Sequence, residues 1–231
     1  MTFSIHKRMW IIIAAYNEGK VIREVLGEIQ SAGYRDIIVV DDGSADDTAA
    51  QARKVPGVKV FRHPLNRGKG AATKTGIEAA KILGADIIVT LDGDGQHNPK
   101  DIENLIRPIQ EGAVDVVLGT RLLHPKGMPW YKIIANYIGN AFTWYFYGLW
   151  VSDSQSGFRA YSRKAADCID TKTDRYEYDS EVIREIHTHK LSFAEVPIEV
   201  RYTEYSMGKV HKQNVVNGIK TLYKIIWSII S

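Results

Sequence analysis

The sequence holds a single cysteine, Cys168, in 231 residues. One thiol can close no intramolecular disulfide and has no CxxC partner for zinc, so a disulfide scaffold and a cysteine-built metal centre are both excluded. Cys168 is expected to be a small buried apolar residue, and the compartment to be the reducing cytoplasm. Net charge is also scarce. Thirty Lys and Arg against 27 Asp and Glu leave +3, and the basic residues are scattered rather than blocked, which argues against a nucleic-acid partner. Long apolar runs are missing as well. Trp10-Ile11-Ile12-Ile13-Ala14-Ala15 follows the basic His6, Lys7 and Arg8 but ends at once in a polar loop, far short of the roughly 18 residues a spanning segment needs. It reads as a first strand. No repeat, low-complexity tract or linker is visible, and 231 residues with 45% hydrophobic content can bury one large core. A single domain over 1–231 is expected.

What is present is an alternation. Strand-like runs at 10–15, 36–41, 58–61, 86–91 and 114–119 are separated by helical patterns at 18–31, 46–54, 68–83 and 99–111. That order predicts an α/β fold with a Rossmann-like, mostly parallel sheet flanked by helices. After Gly119 come an aromatic-rich segment (130–151), a polar loop from Ser152 to Arg159, a helix near 179–188, a strand near 192–200 and a final helix near 212–230. The second half is expected to continue the same domain.

Open parallel sheets bind ligands outside the carboxyl ends of their strands. Three polar clusters fall there: Tyr16-Asn17-Glu18, Asp41-Asp42-Gly43-Ser44 and Asp92-Gly93-Asp94-Gly95-Gln96. Each alone is an ordinary turn with a helix cap. Together they set Glu18, Asp41, Asp42, Asp92 and Asp94 at one sheet edge, where they repel unless a cation or a donor-rich ligand neutralises them. Asp92 and Asp94 can aim two carboxylates at one point across Gly93. Oxygen donors select a hard ion, Mg2+ or Mn2+, whose remaining positions are filled by ligand phosphates. His97 offers a nitrogen that would favour Mn2+, with a capping or solvent-facing role as the alternative.

These clusters do not stand alone. The sequence also carries Asn66-Arg67-Gly68-Lys69-Gly70, Gly119-Thr120-Arg121, the stretch from Asp153 to Arg159, and Val196-Pro197 followed by Arg201 and Lys209. With Ala14-Ala15-Tyr16-Asn17-Glu18, Val40-Asp41-Asp42-Gly43-Ser44 and the Asp92–His97 cluster, this set in this order resembles the GT-A-fold glycosyltransferases of family 2. Within them it is similar to the polyprenyl-phosphate (dolichol-phosphate) hexosyltransferases. Ala14 stands where the family usually has proline, and Gly208 where it commonly has serine before the lysine.

The resemblance implies that Ala14, Tyr16 and Glu18 line a nucleotide pocket and that Val40 and Asp42 contact base or ribose. It implies that Asp92, Gly93, Asp94 and Gln96 meet metal and diphosphate, the metal ligands being Asp92, Asp94 and Gln96. Arg121, Arg201 and Lys209 would face the diphosphate or an acceptor phosphate, which suits guanidinium forks and a mobile ammonium. Arg201 as a solvated strand residue is the alternative. Asp179 and Glu181 are candidates for a base or a positioning role, with helix capping as the alternative. Lys69, between Gly68 and Gly70, could touch phosphate, but in this family the segment looks mainly like the start of a packing helix, and Lys69 is left outside the expected site.

The implied activity is inverting transfer of a hexose to polyprenyl or dolichyl phosphate with Mg2+ or Mn2+. Mannose from GDP-mannose is favoured and UDP-glucose is the other donor. The alternatives are a transferase acting on a soluble or polysaccharide hydroxyl and a non-catalytic nucleotide-sugar-binding module. A polyprenyl acceptor implies a peripheral enzyme on the cytoplasmic face of a membrane. Contact would come from the aromatics of 130–151 or the stripe Val215, Ile219, Leu222, Tyr223, Ile226 and Ile230. Core packing or a homo-oligomer interface is the alternative for both stripes.

Overall fold

The structure, a computed structural model, describes residues 7–123, 130–175, 177–201 and Tyr205. The expected final helix and Lys209 lie outside the described residues. In chain order the elements are β1 (Met9–Ala15), α1 (Ile22–Ser31), β2 (Ile37–Asp41), α2 (Thr48–Arg53), β3 (Lys59–Arg62), α3 (Lys69–Ile82) and β4 (Ile87–Asp92). A 3-10 turn (Pro99–Asp101) then leads into α4 (Ile102–Gln110), β5 (Val116–Thr120), α5 (Trp130–Tyr147), β6 (Arg159–Ser162), α6 (Arg163–Cys168), α7 (Glu177–Thr188) and β7 (Phe193–Pro197). The sheet runs β3-β2-β1-β4-β6-β5-β7. All its pairings are parallel except those of β6, which is antiparallel to both β4 and β5. The mostly parallel α/β sheet expected from the alternation is therefore what forms.

The period of two along β1 divides the core. Ile11, Ile13 and Ala15 pack on one side with Ile22, Leu26 and Ile29 of α1 and Leu105 and Ile109 of α4. Trp10 and Ile12 pack on the other with Ala72 and Ala80 of α3 and Val182 and Ile186 of α7. The apolar residues of α1 and α4 recur at three- and four-residue spacing, which turns one stripe to the sheet. Helix α3 instead buries small residues, Gly70, Ala71, Ala72, Thr73, Gly76 and Ala80, and so lies close against β1. A Cβ at Gly76 would sit 2.1 Å from Ile12 Cγ2. Cys168 is half-buried at the rim of this second core, rather than fully buried as its size suggested.

Two features of this frame place the site. The parallel register sets Ala15 beside Asp41 and Ala14 beside Asp92, so the carboxyl ends of β1, β2 and β4 are level. The reversed β6 starts with Arg159 opposite Thr90, which brings the loop preceding it, residues 152–158, back over the carboxyl end of β4. The short β6 and α6 were not among the expected elements, and β7 ends before the expected 200.

Candidate active site

Asp92 closes β4, and its carboxylate is met by a lysine from another element. Lys69 Nζ lies 2.9 Å from Asp92 Oδ1 and 3.3 Å from Asp179 Oδ2. Lys69 is the first residue of α3, and the turn leading to it is shaped by Asp42. The carboxylate of Asp42 accepts the N–H of Arg67 at 3.0 Å and that of Gly68 at 2.7 Å, and His63 Nδ1 is 2.7 Å away. Gly68 takes φ +114°, a conformation that disfavours any side chain. Gly157 completes the cradle from the β6 side, since a Cβ there would fall 2.3 Å from Lys69 Nζ.

The electrostatics follow from this packing. Burial works against the charge on Lys69, but Asp179 and Asp92 outweigh it and hold the ammonium above the usual lysine range. Burial likewise opposes the charge on Asp92, and Lys69, aided by His97, more than offsets it and keeps that carboxyl ionised well below the ordinary range. Asp94 moves the opposite way. Burial first, and then the negative charge of Asp92, push it up, although its Oδ1 accepts the N–H of Gln96 at 3.0 Å. Asp94 therefore carries the uncompensated anionic demand of the pair. His97 sits behind Asp92, its Nε2 3.5 Å from Oδ2 and its ring centroid 4.9 Å from that of Phe158.

The 152–159 loop is held by charges of its own. Asp153 accepts three bonds from Arg121, from the backbone N–H at 3.0 Å, Nε at 2.6 Å and Nη2 at 2.7 Å. Arg159 is buried, donating to the carbonyls of Ser156 and Ser154 at 2.8 Å each and of Asp179 at 3.0 Å. Asn140 on α5 accepts the Ser154 N–H at 2.9 Å and donates to the Ser152 carbonyl. Helix α5 thus supports the loop with one face.

Of the expected site residues, the structure brings Asp92, Gly93, Asp94, Gln96 and Asp179 together. Gly93 donates to the Ala14 carbonyl at 3.1 Å, and the half-buried Ala14 packs on the second core. Tyr16 is exposed at the cleft. Glu18 is buried, with the Tyr205 hydroxyl 3.0 Å from its Oε2. Five placements differ from the expected contacts. Val40 is fully buried within the second core because its strand position points to α3, so its side chain belongs to the packing and not to the cleft. Asp42 directs its carboxylate into the Arg67–Gly68 turn. Arg121 commits its Nε and Nη2 edge to Asp153. Arg201 pairs through Nη1 with Glu28 Oε2 at 2.6 Å and through Nη2 with Asn98 Oδ1 at 3.1 Å, while its N–H donates to the Gln96 carbonyl at 2.8 Å. It therefore braces the turn at Gln96. Glu181 is turned to Thr173 and Arg184, at 2.8 Å from Thr173 N and 2.7 Å from Arg184 Nη2, a structural anchor rather than a base. Lys69 and Arg159 are the two cations that the sequence reading left out.

The residues present fit a divalent ion. Among the described residues no three His, Cys, Asp or Glu side chains gather into a full metal cage. Asp92 and Asp94 offer hard oxygen donors, and an ammonium already occupies the cation position beside Asp92. An ion there would complete its shell with ligand oxygens.

The architecture matches that of glucosyl-3-phosphoglycerate synthase from Mycobacterium tuberculosis, solved with Mn2+, uridine-diphosphate and phosphoglyceric acid. The TM-score is 0.68 at 19% identity over 94% of this chain and 78% of that one. This defines the fold as GT-A-like, a mixed, mostly parallel sheet with flanking helices. The chain belongs to glycosyl transferase family 2, whose family model matches residues 10–170. It is 38% identical to the UDP-N-acetylglucosamine--dolichyl-phosphate N-acetylglucosaminyltransferase of Methanococcus voltae, over 95% of each chain. It is 28% identical to the polyprenol monophosphomannose synthase of Mycolicibacterium smegmatis, over 96% of this chain and 88% of that one.

Proposed function

We propose that the protein transfers a sugar from a nucleoside-diphosphate sugar to a polyprenyl or dolichyl phosphate, with inversion and with Mg2+ or Mn2+. The observation that carries this reading is the two-sided character of α5. Its inner face holds the loop over Asp92 through Asn140, and its outer face exposes Ile134, Tyr137, Ile138, Trp144 and Tyr145. Trp150 follows, 6.2 Å from Trp144 in a T-shaped pair. An aromatic stripe of this kind suits the headgroup boundary, where a lipid-borne phosphate would be met. The attachment in this reading is peripheral; no helix among the described residues is long and apolar enough to cross a membrane.

The bound divalent ion would supply Lewis-acid stabilisation of the departing nucleoside diphosphate. Asp92, Asp94 and Gln96 would hold it. Lys69 and, from outside the described residues, Lys209 add cationic charge toward phosphate oxygens. A polyprenyl phosphate is already anionic near neutrality, so the attacking oxygen requires no strong base. Asp179 then serves to position Lys69 rather than to remove a proton.

The deciding assay supplies labelled donor, Mg2+ or Mn2+, and polyprenyl phosphate. The donor panel is GDP-mannose, favoured by the family resemblance, UDP-N-acetylglucosamine, the donor of the 38% identical Methanococcus voltae enzyme, and UDP-glucose. Organic-extractable label with one of these donors is the expected result. Label only in an aqueous product would transfer the reading to a soluble-hydroxyl acceptor, and binding without turnover to a non-catalytic module.

A further inference from the structure

Lys69 is fixed at its backbone and free only at its tip. Gly68 and Gly70 press against the Asp174 carbonyl and Tyr178, where an added Cβ would fall 2.3 Å and 2.7 Å from its neighbours. The start of α3 therefore cannot shift toward α7, and the Ala71 N–H, bonded to the Asp174 carbonyl at 3.1 Å, ties it in place, so movement of the ammonium comes from the side chain. Its two carboxylate partners differ in what else they have. Asp179 has a second cation, with buried Arg159 Nη2 3.6 Å from its Oδ1. Asp92 has, besides Lys69, only the histidine at 3.5 Å among the described residues. Withdrawal of the ammonium leaves Asp179 beside a permanent cation and Asp92 beside a histidine alone.

We infer that Lys69 is an exchangeable internal counter-ion, whose ammonium holds the cation position at Asp92 until a divalent ion arrives together with an anionic diphosphate. This rests on the proposed reading of Asp92 and Asp94 as metal carboxylates. A divalent ion arriving alone must displace a well-paired ammonium into a site with no replacement anion. An ion arriving with a nucleoside diphosphate brings phosphate oxygens to which the same ammonium can turn, within reach of its side chain. Metal and donor binding are thereby coupled. The empty protein also keeps its carboxylates ordered without sequestering free metal.

The test reads Mn2+ binding to nucleotide-free protein by the EPR signal of free Mn2+, so that no donor sugar or acceptor enters. Lys69→Met should bind Mn2+ about tenfold more tightly than wild type, within the range usual for coupled sites. Lys69→Gln keeps a polar side chain beside Asp92 but removes the charge, and should also raise the affinity. It decides the matter if Lys69→Met fails to unfold cooperatively. A lysine with a purely structural role predicts equal or weaker Mn2+ binding in these variants, and that result in the folded variants overturns the inference. Absence of Mn2+ binding in every form, even with UDP or GDP added, overturns the metal reading itself and this inference with it.

Discussion

Replacing Asp153 by asparagine tests whether Arg121 is a loop brace or a phosphate ligand. The carboxylate is 2% exposed and takes three bonds from Arg121, whose side chain is 24% exposed. Removing one partner of a fully buried pair typically costs about 3–5 kcal/mol, because the other charge is stranded. Arg121 can regain some water through its exposed edge, and asparagine preserves one acceptor, so the expected loss is about 2–3 kcal/mol. For a chain of this size that is a fall in Tm of roughly 5–10 °C. Urea unfolding followed by circular dichroism measures it directly. Transfer should drop about tenfold as well, because the loosened loop carries Gly157 against Lys69. The double variant with Arg121→Met should be little worse than either single one, since the two groups act as one unit. A loss below about 0.5 kcal/mol, the value expected of an ordinary surface change, would refute the brace. So would strictly additive effects.

Asp94→Asn should lower transfer by at least about a hundredfold, as expected when a transition-state charge contact is lost. Stability should hold or rise slightly, because a carboxyl whose folded pKa is raised costs stability once the pH exceeds its unfolded value. Near-normal turnover across Mg2+ and Mn2+ concentrations would count against the metal reading. Glu181 is held below the ordinary glutamate value of 4.5, its burial being outweighed by the bonds from Thr173 and the charge of Arg184. Its contribution is therefore present above that value and lost as the pH falls through the folded one. Glu181→Gln should flatten the acid side of the stability curve in urea titrations below pH 4.5 and leave turnover at neutral pH unchanged; loss of turnover with normal stability would return Glu181 to the reaction. Wild type should co-sediment with anionic vesicles in a salt-sensitive way, and the Trp144→Ser/Trp150→Ser variant should pellet less while binding nucleotide normally. Equal pelleting of the two would remove the outer face of α5 from the proposal.

The strands of the parallel half were legible because each is a dense apolar run stopped by a polar turn. Ile11-Ile12-Ile13 before Tyr16-Asn17-Glu18 and Ile87-Ile88-Val89 before Asp92-Gly93-Asp94 show the pattern. The acids at their ends were legible for the same reason, since a parallel sheet puts those ends at one edge. β6 was not, because Arg-Ala-Tyr-Ser begins with a charge and is four residues long. Its place depends on pairing with Thr90 rather than on local preference. Arg159 reads in sequence only as the end of a polar stretch, and the carbonyls of Ser154, Ser156 and Asp179 help make its burial tolerable. Lys69 reads as the start of a packing helix. Its role comes from Asp92 and Asp179, 23 and 110 residues away, and no local pattern encodes that meeting.

The one reversed strand explains why the site is balanced in charge. Carboxylates reach the edge from the ends of parallel strands, as Asp41 and Asp92 do. A sheet wholly parallel would bring its remaining strand ends to the same place. Because β6 runs the other way, its first residue, Arg159, arrives at that edge instead, preceded by the loop that Arg121 and Asp153 lock. Helix α3 also starts at this edge, so Lys69 comes with it. Lys69 and Arg159 therefore enter from element starts, and they meet Asp92 from a strand end and Asp179 from the first turn of α7 before any ligand is present. A nucleotide and its metal can bind such a site only by exchanging partners within it. Affinity then depends on how well the incoming phosphates replace the carboxylates that Lys69 gives up.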